Sequence, residues 1–213
     1  MRTLNKDIQS AIKPSIALKL LKDGNERFIN NLKFNRNLLQ QVNETRDGQW
    51  PFAAILNCID SRTSAELIFD QGLGDIFSIR IAGNIINEDI LGSLEFACKM
   101  AGAKLIVVLG HSKCGAIKGA CDDVKLGNLT TLLAKLRPAI QEENTVRKRR
   151  NSDNEEFVEK VAAINVKQAV KLILSQSKVL KDMIATGEAG IVGAMYKVET
   201  GKVHFYKQTK IIN

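Results

Sequence analysis

Lys104–Gly115 reads KLIVVLGHSKCG, and the character of this stretch decides the fold. Leu105–Leu109 is unbroken, apolar and rich in β-branched residues, as expected of a strand buried on both faces of a parallel sheet. Gly110 is expected to end the strand, and His111 and Cys114 follow at once, three residues apart. An imidazole and a thiol at the carboxyl end of a buried strand make a metal-site candidate. The competing explanation is a core histidine beside an inert buried thiol.

Working outward, Phe52–Leu56 is a second compact apolar run, taken as the first strand, and Ile76–Ile81 is the next, ended by Ala82-Gly83-Asn84. Helical periodicity is expected over Ala65–Phe69, Glu88–Ala101, Gly115–Cys121, Asn128–Ile140, Glu155–Leu174 and Ser175–Ile184. Ile191–Val198 and Val203–Tyr206 flank Glu199-Thr200-Gly201-Lys202 and should pair as a hairpin. Upstream, an amphipathic helix over Ser15–Leu32 is opened by Pro14, and the polar Asn30–Gly48 has room for one short helix. Residues 1–48 therefore read as an N-terminal helical arm. Strands alternating with helices imply an α/β fold with right-handed crossovers. The sheet is mostly parallel, of order 2-1-3-4, with an antiparallel C-terminal edge strand and flanking helices. No repeat or long linker divides the chain, so one domain is expected over residues 1–213.

A chain of 213 residues can bury a full core without staples. No apolar run approaches the ~20 residues that span a bilayer. The N-terminus lacks the continuous apolar region and cleavage site of a secretory signal, which favours a reducing cytoplasm. Four cysteines in that setting read as ligands or core residues rather than disulfides. Net charge is +8, and its densest cluster is Arg147-Lys148-Arg149-Arg150. No aromatic residue interleaves with it and no nucleic-acid motif accompanies it, so a solvated loop between helices is expected.

After the first strand stands Cys58-Ile59-Asp60-Ser61-Arg62. If the strand stays extended, Cys58, Asp60 and Arg62 point the same way. Open α/β sheets bind ligands beyond the carboxyl ends of strands, where strand order reverses. In a 2-1-3 order that crevice would gather Cys58, His111 and Cys114, a donor set known from catalytic zinc. Cys121 lies about 10 Å further along its helix, and Cys98 reads as a buried apolar residue. The fourth position is left to water or Asp60, and His204 stays open. Asp60 is placed to accept a hydrogen bond from a zinc-activated water, with Arg62 holding it ionised and off the metal. The alternative for Asp60 and Arg62 is an ordinary ion pair at a strand end.

At these residues the chain resembles the β-class carbonic anhydrases, whose C-x-D-x-R and H-x-x-C motifs stand at Cys58–Arg62 and His111–Cys114. The likeness extends through ALKLLKDGNERF (17–28), AELIFDQGLGDIFSIRIAGN (65–84), SLEFA (93–97), VLGHSKCGAIKGA (108–120) and, weakly, IVGAMYKVETGKV (191–203). The resemblance implies zinc-dependent, reversible hydration of CO₂ to bicarbonate, with one Zn²⁺ per chain on Cys58, His111 and Cys114. It implies an Asp60–Arg62 catalytic dyad and substrate-pocket roles for Gln49, Phe77, Ala82, Phe96 and Gly115. It also implies a homodimer or dimer of dimers, with Gln49 and Phe77 acting across the interface, and no nucleic-acid or membrane partner. Gln49 matches the plant-like subgroup. Ile55 stands where another subgroup has the tryptophan of a bicarbonate-binding regulatory site, although Arg80 and Tyr196 match two of its other partners. Phe96 replaces a tyrosine of some relatives, and Ile81 a common asparagine. The competing functions are hydrolysis of carbonyl sulfide or carbon disulfide, and a non-catalytic zinc-binding dimer.

Overall fold

Period-two burial along the strands divides the molecule into three layers. The computed structural model describes residues 3–212. Five strands, β1 (Ala53–Asn57), β2 (Ile76–Arg80), β3 (Leu105–His111), β4 (Gly190–Tyr196) and β5 (Val203–Phe205), lie in the order β2-β1-β3-β4-β5. All neighbours are parallel except β4 and β5, as the sequence leads one to expect. Ala54, Leu56, Ile106 and Val108 face one helical layer, while Ala53, Ile55, Leu105 and Val107 face the other. A strand with helices on both sides needs apolar residues at every position, which is why β1 and β3 show no polar alternation.

The second of these layers is built by α2 (Pro14–Ile29) and α4 (Ala65–Ile68), with Ala17, Leu18, Leu21 and Ile68 against the sheet. The first is built by α5 (Glu88–Glu95), α6 (Gly115–Cys121), α9 (Glu155–Gln176) and α10 (Lys178–Ala185). The remaining helices are α1 (Lys6–Ala11), α3 (Leu38–Thr45), α7 (Gly127–Ala134) and α8 (Arg137–Glu142). Among the described residues, no helix is long and apolar enough to cross a membrane. The basic run Arg147–Arg150 lies in the connection from α8 to α9, where Arg150 donates to the Glu143 carboxylate and to the carbonyls of Ile140 and Val146.

Three sequence expectations change, and one helix is new. Helix α1 lacks a periodic apolar face; it is held by the Asn5 cap and by Gln9, whose side chain donates to the carbonyls of Pro51 and Ala101. The helix expected over Asn128–Ile140 is two helices, because the Pro138 ring clashes with the carbonyl four residues earlier, at Ala134, where α7 ends. The helix expected over Glu88–Ala101 widens at Phe96–Met100, and Ala101 N–H donates to the Phe96 carbonyl five residues back.

The third change concerns Gly110, which does not end β3. The strand continues to His111 because β4 pairs with it there, Gly110 opposite Met195 and His111 opposite Tyr196. The glycine serves packing instead: a Cβ at position 110 would lie 2.6 Å from Val166 Cγ2 and 3.3 Å from the Met195 methyl. Helix α9 can therefore approach the strand end that carries His111.

The arm is pinned by a buried ion pair. Asp70 accepts from Arg27 Nε at 2.5 Å, and from Arg36 through both its carboxylate and its carbonyl. Burial pushes the Asp70 carboxyl up, but the hydrogen bonds from Arg27 and Arg36 outweigh this and hold it below the usual carboxylate range.

Gly110→Ala should cost about 1–3 kcal/mol through overpacking, read as a lower urea midpoint at unchanged slope. Asp70→Asn should cost about 3–5 kcal/mol at neutral pH by stranding buried guanidinium charge. Because the Asp70 pKa is depressed, its contribution is full above roughly pH 4 and is lost as pH falls. Denaturation curves of the two proteins should therefore converge on acidification.

Candidate metal centre

Three ligand-type side chains meet beyond the carboxyl ends of β1 and β3. Cys58 follows β1 directly, His111 is the last residue of β3, and Cys114 caps α6 three residues later. All three are buried. Their donor atoms lie within 4.8 Å of one another, with the two sulfurs 4.0 Å apart. Tetrahedral zinc with Zn–S near 2.3 Å would hold two sulfurs about 3.8 Å apart, so the spacing fits.

The electrostatics fit as well. His111 Nδ1 lies 2.8 Å from the Ser112 carbonyl, to which its N–H donates, and this turns the lone pair of Nε2 toward the sulfurs. That Nε2 is buried and has no hydrogen-bond partner, a condition native proteins rarely tolerate without a ligand. A hydrogen bond from the Cys114 thiol lowers Cys58 to about 4 against the opposing effect of burial, with the Gly83 N–H assisting. Cys58 and burial in turn push Cys114 up. The surroundings thus favour a thiolate at Cys58, the form that binds a divalent cation.

Asp60 stands beside this cluster, its Oδ2 4.0 Å from His111 Nε2. Both its oxygens are held by Arg62: Nε and the backbone N–H donate to Oδ1 at 2.9 and 3.0 Å, and Nη2 donates to Oδ2 at 2.8 Å. These bonds hold the Asp60 pKa down to about 2. The pairing does not come from strand alternation. β1 ends at Asn57 and the chain turns at Asp60–Thr63, where Thr63 N–H donates to the Asp60 carbonyl. That turn folds Arg62 back onto Asp60. Arg80 completes the support, donating to the carbonyls of Cys58 at 3.1 Å and Asp60 at 2.7 Å. Its guanidinium is committed to the loop, and Ile55 is buried within β1.

A second set of residues, not evident in the sequence, clamps the H-x-x-C loop. Ser112 is buried; its hydroxyl donates to Glu199 at 2.9 Å and accepts from Val198 N–H at 2.9 Å. Lys113 has φ +56° and is held through its N–H by Glu159 at 3.1 Å and through its ammonium by Glu199 at 3.3 Å. Ser112 is the residue whose carbonyl fixes His111, so Glu199 braces a ligand it never touches. The strand register that brings Glu199 here is the missing signal: Tyr196 pairs with His111, and the turn after β4 then falls over Ser112.

A cavity of about 270 Å³ opens onto Cys58 and Asp60, with Ala82, Gly115, Leu129 and Leu133 in its apolar wall. Ala82 and Gly115 thus share a cavity with Cys58 and Asp60. Phe77 and Phe96 do not line it; their rings meet edge-on at 6.4 Å in a separate groove beside β2 and α5. Gln49 is exposed and lines neither. His204, on β5, meets the Tyr206 ring edge-on. Cys98 is buried, with its thiol pushed up to about 12 by burial, and Cys121 is half-buried. Among the described residues, Cys58, His111 and Cys114 form the one cluster able to hold a metal.

The profile of the family described as "Carbonic anhydrase" matches residues 53–203. Carbonic anhydrase 2 of Mycobacterium tuberculosis is 36% identical over 197 residues, covering 89% of this chain and 91% of that protein. This chain belongs to the β-carbonic anhydrases. A carbonic anhydrase of Mycolicibacterium smegmatis is likewise 36% identical over 197 residues, covering 89% of this chain and 92% of that one. Among solved structures, the β-carbonic anhydrase CcaA superimposes with a TM-score of 0.69 at 27% identity, over 89% of this chain and 85% of that one. A tetrameric β-carbonic anhydrase of Sordaria macrospora gives 0.68 at 26% identity, over 76% and 83%.

For this β-carbonic anhydrase, removing a partner that orients a ligand should loosen metal by about 10–100-fold. Glu199→Ala should accelerate zinc loss to a chelator on that scale, whereas Glu199→Gln, which keeps an acceptor for Ser112, should stay close to wild type. Equal zinc-loss rates in wild type and Glu199→Ala would remove Glu199 from the metal centre.

Proposed function

We propose that the chain catalyses reversible hydration of CO₂ to bicarbonate and a proton, a zinc lyase reaction centred on Cys58, His111 and Cys114. The observation that carries this reading is a buried three-donor cluster whose neighbouring carboxylate is turned away by Arg62, leaving a fourth side open to a small apolar cavity. Three protein ligands and an exchangeable position are the pattern of catalytic rather than structural zinc. Bound there, zinc supplies Lewis-acid charge and acidifies a water.

The protein's own groups do the rest. Asp60 is the acceptor that orients the attacking water, and it remains a carboxylate throughout the neutral range because Arg62 pairs with both its oxygens. Ala82, Leu129 and Leu133 offer CO₂ an apolar wall. Gly115 keeps space free, since a Cβ there would meet nothing within 4 Å. Arg80 and Thr63 hold the carbonyls of Cys58 and Asp60, fixing ligand and acceptor on one rigid turn.

Gln49, Phe77 and Phe96 complete the pocket from a second subunit. Their distance from the metal cavity in their own chain and the exposure of Phe96 support this, as does the tetrameric state stated for the Sordaria macrospora relative. The working form is then a homodimer or a dimer of dimers. A reducing compartment such as the cytoplasm suits four free cysteines.

Cys58→Ala and His111→Ala should each lose zinc together with CO₂ hydration, measured by metal analysis and stopped-flow indicator assay. Asp60→Asn should keep zinc and lose about 10²–10⁴-fold in hydration rate. Full hydration by a zinc-free Cys58→Ala protein would refute the assignment.

A further inference from the structure

A larger cavity, about 410 Å³, lies on the α8–α9 side of the molecule, away from the pocket that opens on Cys58 and Asp60. This volume is in the range of small-molecule sites. Ile85, Ile86, Pro138, Ala169 and Leu172 give it an apolar lining. Lys135 and Lys171 add two ammonium groups, and neither has an ion-pair or hydrogen-bond partner among the described residues. The carboxylate in the lining, Glu142, is engaged by Gln168 Nε2 at 2.7 Å. Apolar walls with surplus positive charge suit a ligand that is apolar in body and anionic at one end.

The cavity also touches the support of the metal centre. Asn165 lines it and is itself buried, and its Nδ2 donates to the Gly83 carbonyl at 2.9 Å. Gly83 N–H in turn donates to Cys58 Sγ at 3.4 Å. Gly83 has φ +67°, and a Cβ there would lie 3.1 Å from Leu136, the neighbour of Lys135. The chain from cavity wall to metal ligand is therefore two hydrogen bonds long.

We propose that this cavity binds a small amphipathic carboxylate, its apolar body on Ile85, Ile86 and Leu172 and its charge on Lys135 and Lys171, and that occupancy reaches the metal centre through Asn165 and Gly83. The second half rests on Cys58 as a zinc ligand; the first does not. Octanoate is the probe and octylamine its control of opposite charge, titrated calorimetrically into the zinc-loaded protein. Octanoate should bind saturably, at least about tenfold more tightly than octylamine, and Lys135→Glu/Lys171→Glu should lower its affinity about tenfold or more, since charge-assisted contacts of this kind are worth that much. The double variant should keep full CO₂ hydration. Octanoate should also change the rate of zinc loss to a chelator in wild type and not in the double variant.

Failure of octanoate to bind, equal binding of octylamine, or undiminished binding to the double variant would overturn the site. The last of these results would also place the ligand on the zinc or at a subunit contact. Binding that obeys the lysines but leaves zinc loss unchanged would overturn the coupling. Because binding is read by heat, these results stand whether or not the protein hydrates CO₂.

Discussion

Everything in this molecule depends on keeping two thiol sulfurs and one imidazole nitrogen together in a buried space without a proton for each. A thiolate taken out of water is costly in a low-dielectric setting, and the His111 Nε2, without a hydrogen-bond partner among the described residues, adds a further cost. The fold bears this by mounting the donors on its least deformable parts. His111 ends a strand whose seven residues are all buried, and Cys58 follows a strand that is buried throughout. Parallel pairing of β1 with β3 sets the distance between the two ligand-bearing ends.

Around that centre the polar groups act in pairs. Arg62 holds the Asp60 carboxylate, Arg80 holds the carbonyls of Cys58 and Asp60, and Glu199 holds the serine that holds His111. Each pair removes a freedom that would let a ligand or carboxylate swing into the wrong place. The Asp60–Arg62 pair does this for its carboxylate, keeping it charged and engaged on a guanidinium.

Much of this was legible in the sequence. The apolar runs of β1 and β3 give the parallel sheet, and the two short motifs at their ends give the cluster that could hold a metal. The strands set by those runs were read correctly, whereas helix breaks and residues set by tertiary packing were not. Gly110 looks like a strand terminator, yet it answers to Val166 on a helix more than fifty residues away. Pro138 broke a helix that its apolar pattern alone would continue. Glu199 and Asn165 carry no motif, and only the register of β4 and the packing of α9 bring them to the site, while Arg80 arrives through the pairing of β2 with β1. Phe77, Phe96 and Gln49, expected in the pocket from the family resemblance, fall outside the metal cavity of their own chain.

The central claim is that three protein ligands hold zinc while Asp60 stays on Arg62. X-ray absorption at the zinc edge of the loaded protein, across pH 6 to 9, tests it most directly. The account predicts two sulfurs near 2.3 Å and one imidazole nitrogen near 2.0 Å, with a fourth light-atom ligand that azide displaces. A fourth ligand that azide never displaces at any pH, and that disappears in Asp60→Asn, would contradict it.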